Sequence, residues 1–440
     1  MKKIFVDTGI TQNRFLVFED EELIDIYIED ISYKKLEGNI YKARVENINA
    51  YLNIAFLNIG EIKNAFIDLK EAPNLKIGDE TIVQIKRDSE GKKAYKASSR
   101  ILFPGKKLHL LVGIKDIKSP NKEIYKKIKS MFENNIKENY GVLVEAEDFN
   151  TEELINEYHS LIEKWENIKD KANYIKAPCL LMKSKDYISK LIDEHINGSE
   201  CIELYFSKEK DKALFQKYID VKNFNVSIDI INTIDNSIMD IMKRKHFLIG
   251  EANIVMDEVE AFTIIDVNSG NIDYHNAEIK SLMEFNKLAA QRIFRLLKLR
   301  NTGGIIFIDF VDVENKQKQE LLNFIMELSK NDNNISRIYG WTKLGVLELV
   351  RARKGKKLNE LIYYDYYKEI LNPSYVLKLI ENKCLYNKEK FFKKEFVVSI
   401  PQTTYELSKN IGFKDKLKKE WDIELKFLIE PNVINYEFKN

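Results

Sequence analysis

The strongest constraint on this fold is the stretch 260–313, where two short apolar runs each end in an aspartate. The runs are Phe262–Ile265 and Ile305–Ile308, and the aspartates that follow them are Asp266 and Asp309. Short apolar runs that are rich in β-branched residues and bounded by turn residues are typical of buried strands. A carboxylate at the end of such a strand lies at the rim of the sheet, where open α/β sheets bind their ligands.

The residues between the two runs predict a helix. Apolar side chains recur near helical spacing over 276–300, and Gly303-Gly304 ends the pattern. If the two strands of this strand–helix–strand unit lie side by side, both carboxylates face one cleft, as a hard divalent cation requires. Asn268 could orient a ligating carboxylate through its amide. The pattern alone also allows a plain alternative, in which two strand-end carboxylates bind nothing and Asn268 belongs to a turn.

Length and composition set broad limits. A chain of 440 residues is long enough for several domains, and 70 Lys+Arg against 69 Asp+Glu leave a net charge of +1. Nucleic-acid binding would therefore depend on local basic patches. The three cysteines form no CxxC pair and are expected to be reduced thiols. Since the start lacks a signal-peptide apolar region and no apolar run approaches the ~18 residues of a membrane span, we expect a cytoplasmic protein with no membrane partner.

Residues 36–100 predict a small all-β barrel, because strand-length runs alternate with Gly, Asn and Pro. Lysines and arginines, among them Lys93, interleave there with aromatic residues such as Phe56 and Phe66. Exposed aromatics among basic residues suit stacking on single-stranded nucleic acid. The alternative is that Phe56 and Phe66 belong to the barrel core and that the lysines only form a solvated face.

Other segments give secondary structure but no chemistry of their own. The patterns predict one helix over Thr151–Ala172 and one over Thr404–Lys419, and strands at Cys179–Met182, Ile202–Phe206 and Glu395–Ile400.

The densest basic patch follows the central unit, in the sequence LELVRARKGKK. Arg351 and Arg353 stand at the end of an apolar run, where they could hold phosphates; a solvated element end is the alternative. The chain contains neither GxxxxGK[ST] nor GxGxxG, which removes support for nucleotide-triphosphate and dinucleotide chemistry.

Three long motifs resemble the ribonuclease E/G family of bacterial RNA-processing endonucleases. They are EAFTIIDVNSG at 260–270, EFNKLAAQRIFRLLKLRNTGGIIFIDFVD at 284–312, and LGVLELVRARKGKKL at 344–358. Shorter matches are GNIYKARV, IAFLNIG and AFIDLKE in the first hundred residues and VVSIPQTTYEL in the tail. The resemblance covers nearly the whole chain, and the short ribonuclease G type is the nearer of the two.

The resemblance implies an α/β multidomain architecture. It implies an RNase H-like subdomain made of residues 1–35 and 176–245, into which an OB-fold RNA-binding domain (36–100) and a helical 5′-sensor-like region (101–175) are inserted. A DNase I-like catalytic subdomain (246–360) and a small α+β C-terminal domain (361–440) follow.

The same resemblance implies an endoribonuclease that hydrolyses single-stranded RNA to 5′-phosphate and 3′-hydroxyl ends in RNA processing or decay. It implies that Asp266 and Asp309 hold the catalytic Mg²⁺ and that Asn268 assists. In the family, the residues matching Phe56, Phe66 and Lys93 hold RNA on the barrel. The assignment of Arg351 and Arg353 to the RNA backbone is an inference from charge alone.

Two departures from the family pattern affect the prediction. Glu145 and Ala146 stand where the family's 5′-monophosphate pocket has an Arg-Thr pair, and a carboxylate would repel a terminal phosphate. The region after the third motif lacks the cysteines that join two protomers through zinc in the family. No structural zinc is therefore expected, and any homo-oligomer would form without a zinc bridge.

Two rival functions stay open at this point. A non-catalytic RNA-binding protein with the same fold would keep the barrel but not cleave, and a nuclease-fold enzyme acting on DNA is a weaker rival. The presence of Asp266, Asn268 and Asp309 favours the ribonuclease.

Overall fold

The computed structural model describes residues 1–88, 94–119, 122–133, 135–144, 149–196, 202–220, 222–259, 261–271, 281–330, 332, 334–352 and 355–439. The chain forms two compact units. Unit 1 comprises Met1–Tyr33 and Gly198–Asn440, and unit 2 comprises Lys34–Asn197.

The strands of the first two hundred residues are β1 (Lys2–Asp7), β2 (Gln12–Glu19), β3 (Glu22–Asp30), β4 (Ile40–Asn49), β5 (Ile54–Asn58), β6 (Ala65–Asp68), β7 (Glu80–Arg87), β8 (Tyr95–Ser98), β9 (Ile101–Pro104), β10 (Leu108–Val112), β11 (Ile117–Lys118), β12 (Tyr140–Val144) and β13 (Cys179–Met182). The later strands are β14 (Ile202–Phe206), β15 (Phe224–Val226), β16 (Lys245–Phe247), β17 (Asn253–Glu258), β18 (Phe262–Asn268), β19 (Gly304–Asp309), β20 (Ile335–Trp341), β21 (Leu347–Arg351), β22 (Tyr363–Asp365), β23 (Ile370–Leu371), β24 (Glu395–Ile400), β25 (Glu424–Ile429) and β26 (Glu437–Lys439).

The α-helices are α1 (Lys122–Phe132), α2 (Thr151–Asn173), α3 (Tyr187–Leu191), α4 (Glu209–Phe215), α5 (Ile230–Met242), α6 (Leu282–Leu299), α7 (Asn315–Lys330), α8 (Leu358–Ile362), α9 (Pro373–Phe391), α10 (Gln402–Asn410) and α11 (Phe413–Trp421), and a π-helical turn (Ile192–Ile196) follows α3. In the described part of the chain, no helix is both long and apolar enough to cross a membrane.

Unit 2 contains a closed five-strand barrel, which is consistent with an OB-fold. The barrel strands follow the order β4-β5-β6-β8-β7, and β4 also pairs with β7. The core lies inside the barrel and is built from alternating small and branched residues, such as Ala55, Leu57, Ala65 and Ile67. β13 forms an additional antiparallel pairing with β4. A separate four-strand sheet, β11-β12-β10-β9, packs with α1 and α2 around a second core.

Unit 1 is a mixed α/β assembly whose first strands pair with later parts of the chain. β1 pairs in parallel with β14, in the sheet order β15-β14-β1-β2-β3. The tail forms the sheet β25-β24-β26, which packs with α9, α10 and α11 around its own core. The single helix predicted over Thr404–Lys419 is wrong, because Gly412 adopts a left-handed conformation (φ 62°) and separates α10 from α11.

The six-strand sheet of unit 1 positions the predicted carboxylates. Its order is β16-β17-β18-β19-β21-β20, with β18 and β19 parallel. The predicted helix is α6, and the part of its predicted range from 276 to 280 lies outside the described residues. α6 begins at Leu282 because the Ser281 side chain accepts a hydrogen bond from the Glu284 amide (3.2 Å).

α6 and α7 cover only one face of this sheet. Along β18, buried residues (Thr263, Ile265 and Val267) alternate with exposed ones. The buried residues pack with the apolar side chains of α6 and α7, such as Phe285 and Leu321. Residues of the other parity along the strand, including Asp266, therefore lie on the opposite face of the sheet.

Candidate active site

Two carboxylates lie side by side near the ends of β18 and β19. Asp266 is the register partner of Asp309, one rung beyond the pair Ile265 and Ile308. Each aspartate directly follows a buried isoleucine in its strand, and successive side chains of a strand point to opposite faces of the sheet. Both aspartate side chains therefore lie on the same exposed face. Neighbouring strands lie about 4.8 Å apart, which brings the two carboxylates within reach of a single ion.

Asn268 lies on the same face as Asp266, two residues further along β18. Its amide nitrogen Nδ2 donates a hydrogen bond to Asp266 Oδ2 at 2.8 Å. This bond holds one carboxylate oxygen and leaves Oδ1 available to a ligand. The chain then turns at Gly270 (φ 58°), where an added Cβ would lie 3.1 Å from the Glu251 carbonyl carbon. A side chain at position 270 would therefore disturb the turn that follows Asn268.

The electrostatics of the pair favour a bound cation. Partial burial, together with the negative charges of Asp266 and Asp312, raises the pKa of Asp309, and Lys318 opposes this only in part. Within the described residues, neither Asp266 nor Asp309 forms an ion pair. Two adjacent carboxylates that offer oxygen ligands on one exposed face match what Mg²⁺ binds in proteins. The residues present therefore fit a hard divalent cation.

Asp312 is a peripheral member of this acidic group. Its side chain is 95% exposed and accepts a hydrogen bond from Lys318 Nζ at 3.2 Å. It also lines an open cleft of about 570 Å³ with Leu282 and Gln317. Because Lys318 already compensates it, Asp312 is a weaker candidate ligand than Asp266 or Asp309.

Asn286 of α6 is a site residue that the sequence reasoning missed. It is fully buried, and its Nδ2 donates to the carbonyl oxygen of Val311 at 2.8 Å. The bond ties α6 to the chain directly after Asp309 and so fixes the direction in which β19 ends. A polar residue on the buried, otherwise apolar stripe of the helix was the signal that could have revealed it.

Arg351 does not fit the predicted role in holding the RNA backbone. Only 1% of its surface is exposed. Its Nε donates to Asp332 Oδ2 at 2.7 Å, and Nη1 donates to the carbonyl oxygen of Thr302 at 2.6 Å. A buried guanidinium with these partners stabilises the end of β21 and the start of β19, and it cannot reach a phosphate. Arg353 lies outside the described residues.

The barrel places Phe56 and Phe66 on its outer surface. They are register partners on β5 and β6, while their neighbours Ala55, Leu57, Ala65 and Ile67 point into the core. The two rings are partly exposed and stand side by side. This excludes the alternative in which they form the barrel core. Lys96 lies next to Phe66 and is exposed, and Lys93 lies outside the described residues.

Several other basic residues of the barrel are already engaged within unit 2. Lys42 donates to the carbonyl oxygens of Ala172 and Ile175, and it forms an ion pair with Glu80 at 2.7 Å. Lys86 donates to Gln84 Oε1 at 2.6 Å, and burial lowers its pKa. These lysines therefore stabilise unit 2 and are poor candidates for RNA contacts.

Glu145 and Ala146, the altered 5′-sensor positions, lie outside the described residues, directly after β12.

Comparisons with known proteins give a consistent answer. A profile of the ribonuclease E/G family matches residues 101–354, more than half of the chain. Ribonuclease E of Synechocystis is 27% identical over 74% of this chain and 53% of its own length. Ribonuclease E of Escherichia coli is 25% identical over 98% of this chain and 45% of its own length. Ribonuclease G of Haemophilus influenzae is 24% identical over 82% of this chain and 81% of its own length.

The chain thus spans about half the length of these two ribonuclease E proteins and most of the ribonuclease G protein. The matched stretch 101–354 includes β18, α6 and β19, which carry the paired carboxylates and Asn268. The chain belongs to the ribonuclease E/G family.

Proposed function

We propose that this protein is a magnesium-dependent endoribonuclease that hydrolyses single-stranded RNA to 5′-phosphate and 3′-hydroxyl ends. The pairing of Asp266 with Asp309 on two adjacent parallel strands carries the proposal. Membership of a family whose named relatives are ribonucleases supports it.

The proposed roles follow from the geometry of the pair. Asp266 and Asp309 would hold Mg²⁺, and Asn268 would orient the Asp266 carboxylate through its 2.8 Å hydrogen bond. Bound there, Mg²⁺ supplies charge stabilisation at the scissile phosphodiester and makes the attacking water more acidic. Asn286 keeps the Asp309 end of β19 in place through the Val311 carbonyl.

Substrate binding is proposed for the outer face of the barrel. Phe56 and Phe66 form a cross-strand pair of partly exposed rings, on which bases of single-stranded RNA can stack. Lys93 is retained as a proposed phosphate contact, as is Arg353. Arg351 is not retained, because its buried guanidinium is bonded to Asp332.

The domain assignments are proposals of the same kind. The sheet with β1 and β14 would be the RNase H-like subdomain, and the sheet with β18 and β19 the DNase I-like subdomain. Glu145 in place of a sensor arginine implies weak preference for a 5′-monophosphate. Because the region after the third motif lacks the family's zinc-bridging cysteines, any homo-oligomer would form without a zinc bridge.

One experiment tests the function. A short single-stranded RNA oligomer is incubated with the purified chain, with Mg²⁺ or with EDTA, beside the variants Asp266→Asn and Asp240→Asn. Asp240 is the matched control, since it is an exposed carboxylate of α5 that pairs with Lys243 at 2.8 Å. We expect magnesium-dependent cleavage by the wild type and Asp240→Asn, and none by Asp266→Asn.

Equal cleavage by the wild type and Asp266→Asn would refute the metal assignment. RNA binding without cleavage under any metal condition would instead favour the non-catalytic RNA-binding protein. A large preference for 5′-monophosphate over 5′-hydroxyl substrates would show that end sensing survives despite Glu145.

A further inference from the structure

The sheet that carries Asp266 and Asp309 has an open face with apolar side chains next to the carboxylates. Two rungs of the β18–β19 ladder precede the carboxylate rung on this face. Phe262 is the partner of Ile305, Ile264 is the partner of Phe307, and Asp266 is the partner of Asp309. We call the four apolar residues Phe262, Ile264, Ile305 and Phe307 the open face.

The open face is unusually exposed for strand residues in the middle of a sheet. Phe262 is 39% exposed, Ile264 44% and Ile305 45%. Phe307 is partly exposed, and its ring meets the Phe262 ring edge to face, with centroids 5.9 Å apart. Adjacent exposed apolar side chains of this size indicate a binding surface, because folding alone gains nothing from leaving them in water.

Cations paired with aromatic rings flank this surface on both edge strands of the sheet. On β16, Lys245 Nζ lies 4.9 Å from the ring centroid of Phe247, which is 63% exposed. On β20, the Arg337 guanidinium lies 4.7 Å from the ring centroid of Tyr339, which is 56% exposed. Lys245 is the register partner of Val255, which is the partner of Asp266. Arg337 is the register partner of Val350, which is the partner of Ile305. Both cations therefore lie on the same face of the sheet as the open face.

We propose that the open face is a stacking platform for the nucleobases on one side of the cleaved phosphodiester of single-stranded RNA. This inference rests on the proposed function, because it takes the carboxylate rung to be the place of cleavage. Same-face residues along a strand are about 6.6 Å apart, so the two apolar rungs offer surfaces at successive steps away from the carboxylates. Any base can stack on an aromatic or flat apolar surface, so the platform would hold RNA without reading its sequence.

RNA fits this surface better than a second copy of the chain does. The open face is continuous with Asp266 and Asp309, neither of which forms an ion pair among the described residues. A protein covering the apolar rungs would also remove water from these two carboxylates, and burying uncompensated charge costs several kcal/mol. RNA that arrives with a divalent cation brings the compensating charge to the same rung.

The first test measures binding apart from cleavage. The dissociation constant of a short single-stranded RNA oligomer is determined in EDTA for the wild type, Phe262→Ala, Phe307→Ala and Phe224→Ala. Phe224 is the matched control, an exposed ring on the edge strand β15 with Lys212 Nζ 3.7 Å from its centroid. We expect about fivefold or greater weakening for each platform variant and no change for Phe224→Ala.

The second test keeps the wild-type protein, so that it does not depend on the folding of any variant. RNA oligomers carry one abasic nucleotide at the first or the second position on either side of the cleaved bond, and cleavage rates at limiting substrate are compared. We expect slower cleavage for abasic positions on one side only. In Phe307→Ala, removing the base that stacks on this ring should slow cleavage much less than it does in the wild type. The ring is then already absent, so the stacking contact cannot be lost a second time.

The outcomes separate the two proposals. Binding in EDTA that depends on Phe262 and Phe307, without cleavage in Mg²⁺, would support the platform and refute the ribonuclease. Cleavage that is indifferent to both rings and to abasic sites would refute the platform alone. The platform would also be refuted if Phe307→Ala bound RNA as tightly as the wild type but had a lower mass in sedimentation. The open face would then be an interface between copies of the chain.

Discussion

Unit 1 contains two groups of strand-end aspartates that the fold treats in opposite ways. Asp309 ends β19 beside Asp266 on an exposed face, with no ion pair among the described residues. Asp7 ends β1 and is completely buried. Its oxygens accept hydrogen bonds from Lys208 (2.8 Å), Lys378 (3.0 Å) and Arg14 (2.6 Å).

The difference shows in the direction of the two pKa shifts. Burial alone would raise the pKa of Asp7, but Lys208, Lys378 and Arg14 hold it well below its usual range. Burial and the neighbouring acids raise the pKa of Asp309. A carboxylate surrounded by three cations is a structural anchor, whereas one that faces another carboxylate is ready for a cation from solution. The charged neighbours that the fold places around each aspartate, and not the residue type, therefore distinguish a structural aspartate from a candidate metal ligand.

The largest effect is expected for Asp309→Asn. Removing one of the two carboxylates should lower RNA cleavage at least about a thousandfold, because the charge that holds the cation is halved. Stability should hardly change, since the side chain is exposed and the repulsion from Asp266 and Asp312 that it loses outweighs the attraction of Lys318. Cleavage rates and urea unfolding of the same preparation check both parts. A large loss of stability would show that Asp309 is a structural residue like Asp7.

Asp7→Asn should have the opposite profile. It leaves Arg14, Lys208 and Lys378 buried with less negative charge, which should lower the free energy of unfolding by about 3–5 kcal/mol. Adding Lys378→Met should recover part of the loss by removing one uncompensated cation. Urea unfolding of both variants is the measurement, and an unchanged midpoint for Asp7→Asn would contradict the anchor role.

His246 on β16 gives a pH-dependent comparison within the sheet that contains Asp266 and Asp309. Burial and the neighbouring Arg300 lower its pKa from 6.5 to about 4. Between these values the unfolded chain binds a proton that the folded chain does not, so stability is full above 6.5 and falls as the pH drops toward 4. The loss should reach about 3 kcal/mol. This loss of stability should be absent in His246→Gln, and urea unfolding of both proteins at a series of pH values measures it. The same pH dependence of the unfolding free energy in the wild type and His246→Gln would refute the prediction.

The smallest effect is expected for Asn286→Ala. Losing the bond to the Val311 carbonyl should lower cleavage about tenfold, as for residues that support a metal site without touching the metal. Since Asn286 acts through Asp309, the half-saturating Mg²⁺ concentration should rise more than the RNA dissociation constant measured in EDTA. Equal changes in both would indicate a general loss of structure. Asn323→Ala on the exposed side of α7 is a suitable control.

Local patterns determined much of this protein from sequence alone. The strands Cys179–Met182, Ile202–Phe206 and Glu395–Ile400 are confirmed at both ends, because apolar runs bounded by turn residues specify a strand wherever it later packs. The same local logic predicted that Asp266 and Asp309 would follow two apolar strand runs and lie at one edge of a sheet. Family resemblance, and not spacing, is what predicts RNA cleavage at that edge.

Tertiary structure decided what each charged or aromatic side chain faces. The sequence places Arg351 in a basic patch, yet in the structure its side chain is buried and donates hydrogen bonds to Asp332 and the Thr302 carbonyl. Phe56 and Phe66 could have filled the barrel, and only the register of β5 and β6 turned both outward. Partners of this kind come from positions far apart in the chain, as Lys378 does for Asp7. Sequence periodicity therefore fixes which face a residue lies on, while the charge and burial that make a site depend on long-range packing.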